Sequence, residues 1–335
     1  MRKLFLSVML LMFSAPAISV VTLKVATATP DGTQWMKDMR ASAKEIYERT
    51  EGRVTFKYYA GGIKGSDFKV LSQIRIGQLQ GGVFTPTSLA AQYSDLNLYG
   101  MPLVFDSEKE ATYVRTKMDA VLQEGLENAG FVNFGFATSG FAYIMSGQPV
   151  QTLADLRGKR VWVPEGDLMS YKSMEALSLN PVTLPLTDVL TGLQTGLIDI
   201  VTIPTIVGLV LQWHTKVKYV TRIPLIYTFG YMAIDKKAFD KISRNDQLVV
   251  REVMTKTYAN FDKINLVDNE DAFKALIKSG IEEVQLNKSE FFKVRELLLK
   301  SNLKLGSEGG FSLGLYKEML NHISDYRSDK VAASE

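Results

Sequence analysis

Residues 158–167 read Gly-Lys-Arg-Val-Trp-Val-Pro-Glu-Gly-Asp. A short β-type run, Val161-Trp162-Val163, meets a break at Pro164 and Gly166, and the acidic Glu165 and Asp167 bracket the turn. A strand, a Pro/Gly turn and an acidic helix-start signal make a βα junction. Open α/β sheets hold their ligands at such junctions. An indole there offers a stacking surface, and the carboxylate beside it offers hydrogen-bond acceptors. Two threonines stand at matching places in other strands, Thr85 in Val83-Phe84-Thr85-Pro86 and Thr202 in Val201-Thr202-Ile203-Pro204. The candidate ligand contacts are therefore Trp162, Glu165, Thr85 and Thr202, joined by Asp67, Trp35, Tyr143 and Tyr231 from other turns and strand ends. Asp67 opens a helix, where a carboxylate first suggests a cap and only then a polar contact to a ligand. Tyr143 and Tyr231 lie in β-type runs, where aromatics also serve as plain packing.

Reactive chemistry has less to work with. The chain holds two histidines, His214 and His322, and no cysteine. It contains no H-E-x-x-H, no G-x-S-x-G and no Gly-rich phosphate loop. Ser66-Asp67-Phe68-Lys69 fits S-x-x-K, a four-letter pattern common by chance. Without cysteine there is no thiol nucleophile, no thiolate metal site and no lipid-bearing Cys behind a leader. The expectation is binding rather than catalysis, with no cofactor and no metal.

These residues need elements to hold them. Arg2 and Lys3, the apolar run Leu4–Phe13 and the small residues around Ala15–Ser19 read as a cleavable signal peptide over 1–19, with a mature start near Ile18 to Val20 and a periplasmic destination. The 39 basic and 36 acidic residues give a net charge of +3, and loss of Arg2 and Lys3 leaves +1. With no basic stripe, nothing favours nucleic acid. Residues 21–86 alternate strand, helix, strand, helix, strand, with helices expected over 35–48 and 67–76. Residues 159–204 repeat the plan, with helices over 167–179 and 187–194. The third strand of each unit follows a Gly cap, Gly77 in one and Gly196 in the other. A repeat of about 120 residues in βαβ order implies two similar α/β lobes with parallel sheets. Gly-punctuated β runs at 133–146 and 224–235 suit hinge strands between them. From Asn245 onward a long amphipathic helix is expected to bury Val249, Val253, Tyr258, Phe261, Ile264 and Leu266. The domain expectation is signal peptide 1–19, lobe one 20–140, lobe two 141–228, and 229–335 as hinge return, long helix and C-terminal helices.

Four segments carry a resemblance to a known family: 59–82, 149–164, 184–201 and 235–243. In their order and spacing they resemble the periplasmic solute-binding subunits of tripartite ATP-independent periplasmic (TRAP) transporters, of the dicarboxylate-binding, DctP-like type. The likeness spans essentially the whole mature chain. It implies a two-lobed, type II periplasmic-binding-protein fold with hinge strands and a long helix along both lobes. It also implies closure on a small organic acid and delivery to a sodium-driven membrane permease, with the binding protein a monomer. In that family the strand before the turn reads G-x-K-x-R-V-P, and its Arg grips the substrate carboxylate as a bidentate fork. Here Trp162 stands at that place. A second family Arg falls near Ala142 or Tyr143, and the polar residues after "LQTGLID" are Ile200, Val201, Thr202 and Ile203. Arg160 shares the strand face of Trp162 but sits at the far end. The residues thus point to an organic acid of apolar or aromatic character with at most one acid group. A two-lobed periplasmic enzyme or ligand sensor on the same scaffold is the alternative.

Overall fold

Leu23 and Val25 alternate with polar neighbours to make β1 (Val21–Ala26), the first strand of the computed structural model, which describes residues 20–332. The signal-peptide expectation at 1–19 lies outside the described residues. α1 (Gln34–Arg49) starts where the Thr33 hydroxyl accepts the Met36 N–H, and it buries Met36, Met39 and Ile46 on one face. β2 (Val54–Tyr59), α2 (Asp67–Arg75) and β3 (Gly81–Phe84) complete a unit whose strands pair in parallel in the order β2-β1-β3. α3 (Glu108–Asn128), β4 (Phe131–Asn133) and β5 (Ala137–Ser146) lead into the second unit. That unit contains β6 (Arg160–Pro164), α4 (Leu168–Ala176), β7 (Asn180–Leu184), α5 (Val189–Thr195) and β8 (Ile200–Pro204). Its parallel order β7-β6-β8 repeats that of the first. Gly77 and Gly196 follow α2 and α5 at φ of 75° and 69°, the left-handed conformation that a side chain would strain.

α6 (Thr205–Val210) precedes β9 (Tyr219–Asp235), which belongs to both sheets. Its first part runs antiparallel to β5 beside the second unit, and residues 231–234 run antiparallel to β3 in the first. The path β2-β1-β3-β9-β5-β8-β6-β7 is therefore continuous from lobe to lobe. α7 (Lys236–Phe239) is short, and α8 (Arg244–Lys278) is long, about 50 Å at 1.5 Å per residue. α8 packs Val250, Met254 and Phe261 into the core of lobe one, and Phe273 and Leu276 into the core of lobe two. β10 (Glu282–Val284), α9 (Lys288–Ser307) and α10 (Leu313–Ala332) close the chain.

The two-lobed α/β fold agrees with the sequence expectation, and the helices expected in the two units lie within a few residues of their places. The middle of α8 differs. Ile264, expected inside, is 38% exposed, and Leu266 and Val249 are half-buried. Between the two cores the helix meets the hinge instead, and polar side chains do the work there. Asn265 donates to the Thr138 carbonyl at 2.7 Å and Asn269 to the Ser139 carbonyl at 2.7 Å. Among the described residues no helix is long and apolar enough to cross a membrane.

Candidate functional site

The βα turns of the two units face each other across a cavity of about 170 Å³. Asp67, Thr85 and Ser88 line it from lobe one, Trp162, Glu165 and Thr202 from lobe two, and Ser139, Tyr227 and Phe229 from the hinge strands. The lobes touch at the mouth. A Cβ added to Gly166 would come within 2.5 Å of the Phe68 ring, and one on Gly62 within 2.9 Å of Thr187 Cγ2. Gly166 also has a φ of +83°. Contacts this close describe a closed cleft, and glycine is what lets the two turns meet.

Thr85 directly follows the end of β3 and Thr202 lies in the middle of β8, so the two are not at equivalent places, yet both line the cavity. Thr85 caps a short turn, Pro86–Leu89, with its Oγ1 3.0 Å from Ser88 Oγ. Asp67 corrects the expectation of a helix cap. Ser66 is the residue at the cap position, and Asp67 lies one further on. Its carboxylate accepts from Ser88 Oγ and from the Thr85 N–H. Burial pushes the Asp67 carboxyl up, those two bonds oppose the shift, and the charge of Glu165 across the cleft adds to it. Glu165 Oε2 is out of contact with water and has no hydrogen-bond partner. Asp167 is the cap of α4, accepting the Ser170 N–H at 2.9 Å.

Trp162 forms part of the cavity wall and is also deeply packed. Only 4% of it is exposed, its ring meets Trp213 edge to face at 5.1 Å, and its N–H donates to the Leu184 carbonyl at 3.0 Å. Its polar handle is thus already used. Met169, Ile203 and Val207 extend the apolar wall beside it.

Three expected contacts do not reach the cavity. Trp35 stacks on Phe261 of α8 at 5.1 Å and belongs to the edge of the lobe-one core. Tyr143 follows Ala142, which lines the cavity. Successive strand residues face opposite ways, so the Tyr143 ring packs on Phe273 of α8 at 6.3 Å. Tyr231 is two residues beyond Phe229, inside lobe one against Phe136, with its hydroxyl buried and unpartnered. The sequence reading passed over Phe68, Ser88 and Gly166. Gly166 was visible as a turn glycine, but only the meeting of the lobes shows what its missing side chain permits.

Arg160, the other candidate cation, is 49% exposed and forks onto Asp199 at 2.7 and 2.9 Å. No Lys, Arg or His lines the cavity. The buried cation of this region lies behind it. Arg115 of α3 donates to Asp262 at 2.6 Å, Asp119 at 2.9 Å, the Phe136 carbonyl at 2.8 Å and the Tyr227 hydroxyl at 3.1 Å. Glu108, on the same helix, accepts the Phe141 N–H at 3.1 Å, and burial pushes its carboxyl up to about 7. Among the described residues no group of three or more His, Asp or Glu could hold a metal ion.

Two βαβ units closed over a cavity, joined by shared strands and a long helix, are a solute-binding architecture, and residues 25–303 match the family described as DctP, bacterial extracellular solute-binding protein, family 7. The chain belongs to that family. The resemblance read from its motifs holds over most of its length. Among relatives, the 2,3-diketo-L-gulonate-binding periplasmic protein YiaO of Escherichia coli K12 is 22% identical over 76% of this chain and 80% of its own. Among solved structures, a TRAP periplasmic solute-binding protein of Ralstonia eutropha H16 with bound (S)-2-acetolactate superposes with a TM-score of 0.83 at 19% identity, covering 91% of this chain and 99% of that one. One from Xanthobacter autotrophicus Py2 with bound β-D-galacturonate gives a TM-score of 0.80 at 19% identity, covering 90% and 98%. At such identities the likeness speaks for the fold, and the ligands belong to those proteins. Membership in this extracellular family places the DctP-type chain outside the cytoplasm.

Proposed function

We propose that this family 7 protein is the substrate-binding subunit of a TRAP-type transporter, capturing a small organic solute between its lobes and delivering it to a membrane permease. The observation that carries this reading is the cavity between facing βα turns, where Gly166 and Gly62 let the lobes meet at its mouth. The wall of Trp162, Met169, Ile203, Val207 and Phe229 favours a solute with an apolar or aromatic body. A dicarboxylate fits poorly, because a buried carboxylate without a cationic partner costs several kcal/mol. The permease is inferred from the family, as is action by a monomer.

Protein purified from its own periplasm should release one small molecule on denaturation, and mass spectrometry should find the same molecule after prolonged incubation of the native protein. Small-angle scattering should show a smaller radius of gyration when that molecule is returned to stripped protein. A bound molecule that is chemically converted would favour an enzyme. No bound molecule and no compaction would reject the receptor.

A further inference from the structure

We propose that the captured solute is an organic acid whose apolar body continues as an unbranched aliphatic chain, and that this chain passes Met174 into a second cavity behind the cleft. The subsite rests on the solute-binding reading and adds to it the shape and chemistry of the ligand.

The second cavity, of about 50 Å³, lies in lobe two between its sheet and the helices α4 and α9. Its wall is mostly aliphatic, with Val161 and Leu225 from the sheet, Leu177 from α4 and Val294 from α9. The space exceeds the roughly 10–15 Å³ that one water needs, yet such a wall gives a water few partners. A hydrocarbon chain suits it better, because the lining atoms then gain the dispersion contacts they otherwise lack.

The second cavity adjoins the cleft. Met174, Thr202 and Ile226 stand in the walls of both, so one layer of side chains separates them. The same elements run from one space to the other. Along α4, Met169 and Ser170 line the cleft, Met174 the partition and Leu177 the second cavity. Along β8, Pro204 lines the cleft, Thr202 the partition and Ile200 the second cavity, at the two-residue spacing of one strand face. Thr202 and Ile226 are β-branched, stiff at χ1 and held in paired strands. Met174 is half-buried, unbranched and free to turn about three side-chain bonds, so it is the member of the partition that can swing aside.

The cleft itself gives a reason for the chain. No Lys, Arg or His lines it, so affinity for an acid has to come from apolar burial rather than from an ion pair. The acid group stays in the cleft, whose wall includes the hydroxyl residues Thr85, Thr87 and Ser139, and the methylenes behind it supply the burial.

The test uses the mature full chain, stripped of bound solute, and calorimetry with butanoate, hexanoate, octanoate and decanoate. Affinity should rise about fourfold per added methylene and level off once the second cavity is full. Val294 lines the second cavity and not the cleft. Val294→Phe should therefore weaken octanoate at least about tenfold more than butanoate. Val294→Ala, which enlarges the cavity, should move the plateau to a longer chain, and melting temperatures check that both variants are folded. The molecule released from native protein should carry an alkyl chain. No binding at any chain length, affinity independent of chain length, or equal losses of butanoate and octanoate in Val294→Phe would overturn the subsite. A raised melting temperature in Val294→Phe with unchanged affinities would make the second cavity a packing void and overturn it as well. Release of a solute without an alkyl chain would overturn it too, while leaving the receptor reading intact. Absence of any bound molecule and of compaction would remove both.

Discussion

Two groups of partly buried carboxylates lie within this protein, one behind the hinge and one in the cleft, and they are built on opposite terms. Behind the hinge, Asp119 and Asp262 flank the Arg115 guanidinium, while the Tyr99 hydroxyl and the Thr138 N–H complete their hydrogen bonds. In the cleft, Asp67 and Glu165 line the cavity from the two lobes with no cation in the wall, and one Glu165 oxygen has no partner. A charge kept for structure is surrounded by its counterparts. The cleft carboxylates have no such counterpart among the lining residues.

Removing the hinge cation should have the largest effect. Arg115→Met leaves Asp119 and Asp262 without their shared counter-charge, and breaking a buried pair on one side costs about 3–5 kcal/mol. Denaturant unfolding should report that loss, and the added change Asp119→Asn should return part of it, because the two groups are coupled. A loss under about 1 kcal/mol would show that water already screens the cluster, and the contrast with the cleft would fail.

Trp162 tests the cleft side. It was singled out as a stacking surface, yet its ring rests on Trp213 and its N–H is bonded to the backbone. Trp162→Ala should therefore cost about 3–5 kcal/mol of stability as a buried-cavity effect. Trp162→Phe, which keeps much of the packing, should lose less stability and still weaken an aromatic ligand by about tenfold. Full affinity in a folded Phe variant would make the indole a purely structural wall.

What the sequence revealed and what it hid divide along one physical line. The βα junctions announce themselves within ten residues, so Thr85, Thr202, Trp162, Glu165 and Asp67 were legible as cavity residues. The repeat was legible too, because Gly77 and Gly196 mark the same turn twice. Side-chain direction was not. Tyr143 and Tyr231 sit in the right strands, but parity and depth along the strand decide what each faces, and Trp35 finds its partner on a helix more than two hundred residues away. Arg115 has no local signature, since its partners Tyr227 and Asp262 are 112 and 147 residues distant.

Glu108 sharpens the comparison through pH. It sits beside the hinge cluster, yet its Oε2 is buried without a partner, like that of Glu165. Its carboxyl is raised from 4.5 to about 7, so the folded protein keeps this proton where the unfolded chain has lost it. Its contribution to stability is full below about pH 4.5 and is lost as pH rises towards about 7, an effect of up to about 3 kcal/mol. Asp67, Asp119 and Asp167, all pushed up by burial, slope the same way. Glu108→Gln should flatten the pH profile of unfolding between about pH 5 and 7 relative to wild type. An unchanged slope would assign the dependence to the other carboxyls.

At the cleft mouth, Gly166→Ala adds a methyl where the Phe68 ring lies. The positive φ strains the variant in every state, but the clash exists only when the lobes are closed. Affinity should fall about tenfold, an overpacking cost of about 1–3 kcal/mol. Phe68→Ala in the same chain should restore much of the affinity without relieving the φ strain. Equal affinity of the single variant and wild type would mean that the lobes close along a different path.

The smallest effect belongs to Arg160, and its smallness matters. It is the one cation on the strand that carries Trp162, and in principle it could serve in place of the carboxylate-gripping Arg that the family resemblance implies. It lies at the opposite end of β6 from the turn, however, half exposed and already bonded through both Nε and Nη2 to Asp199. An exposed pair of this kind holds a strand end in place and contributes little else. Arg160→Gln should leave affinity for the molecule released from native protein within about twofold of wild type. A selective loss of acid binding in that variant would mean that the cleft recruits a cation after all, and the contrast between the paired charges behind the hinge and the cation-free cleft would no longer hold.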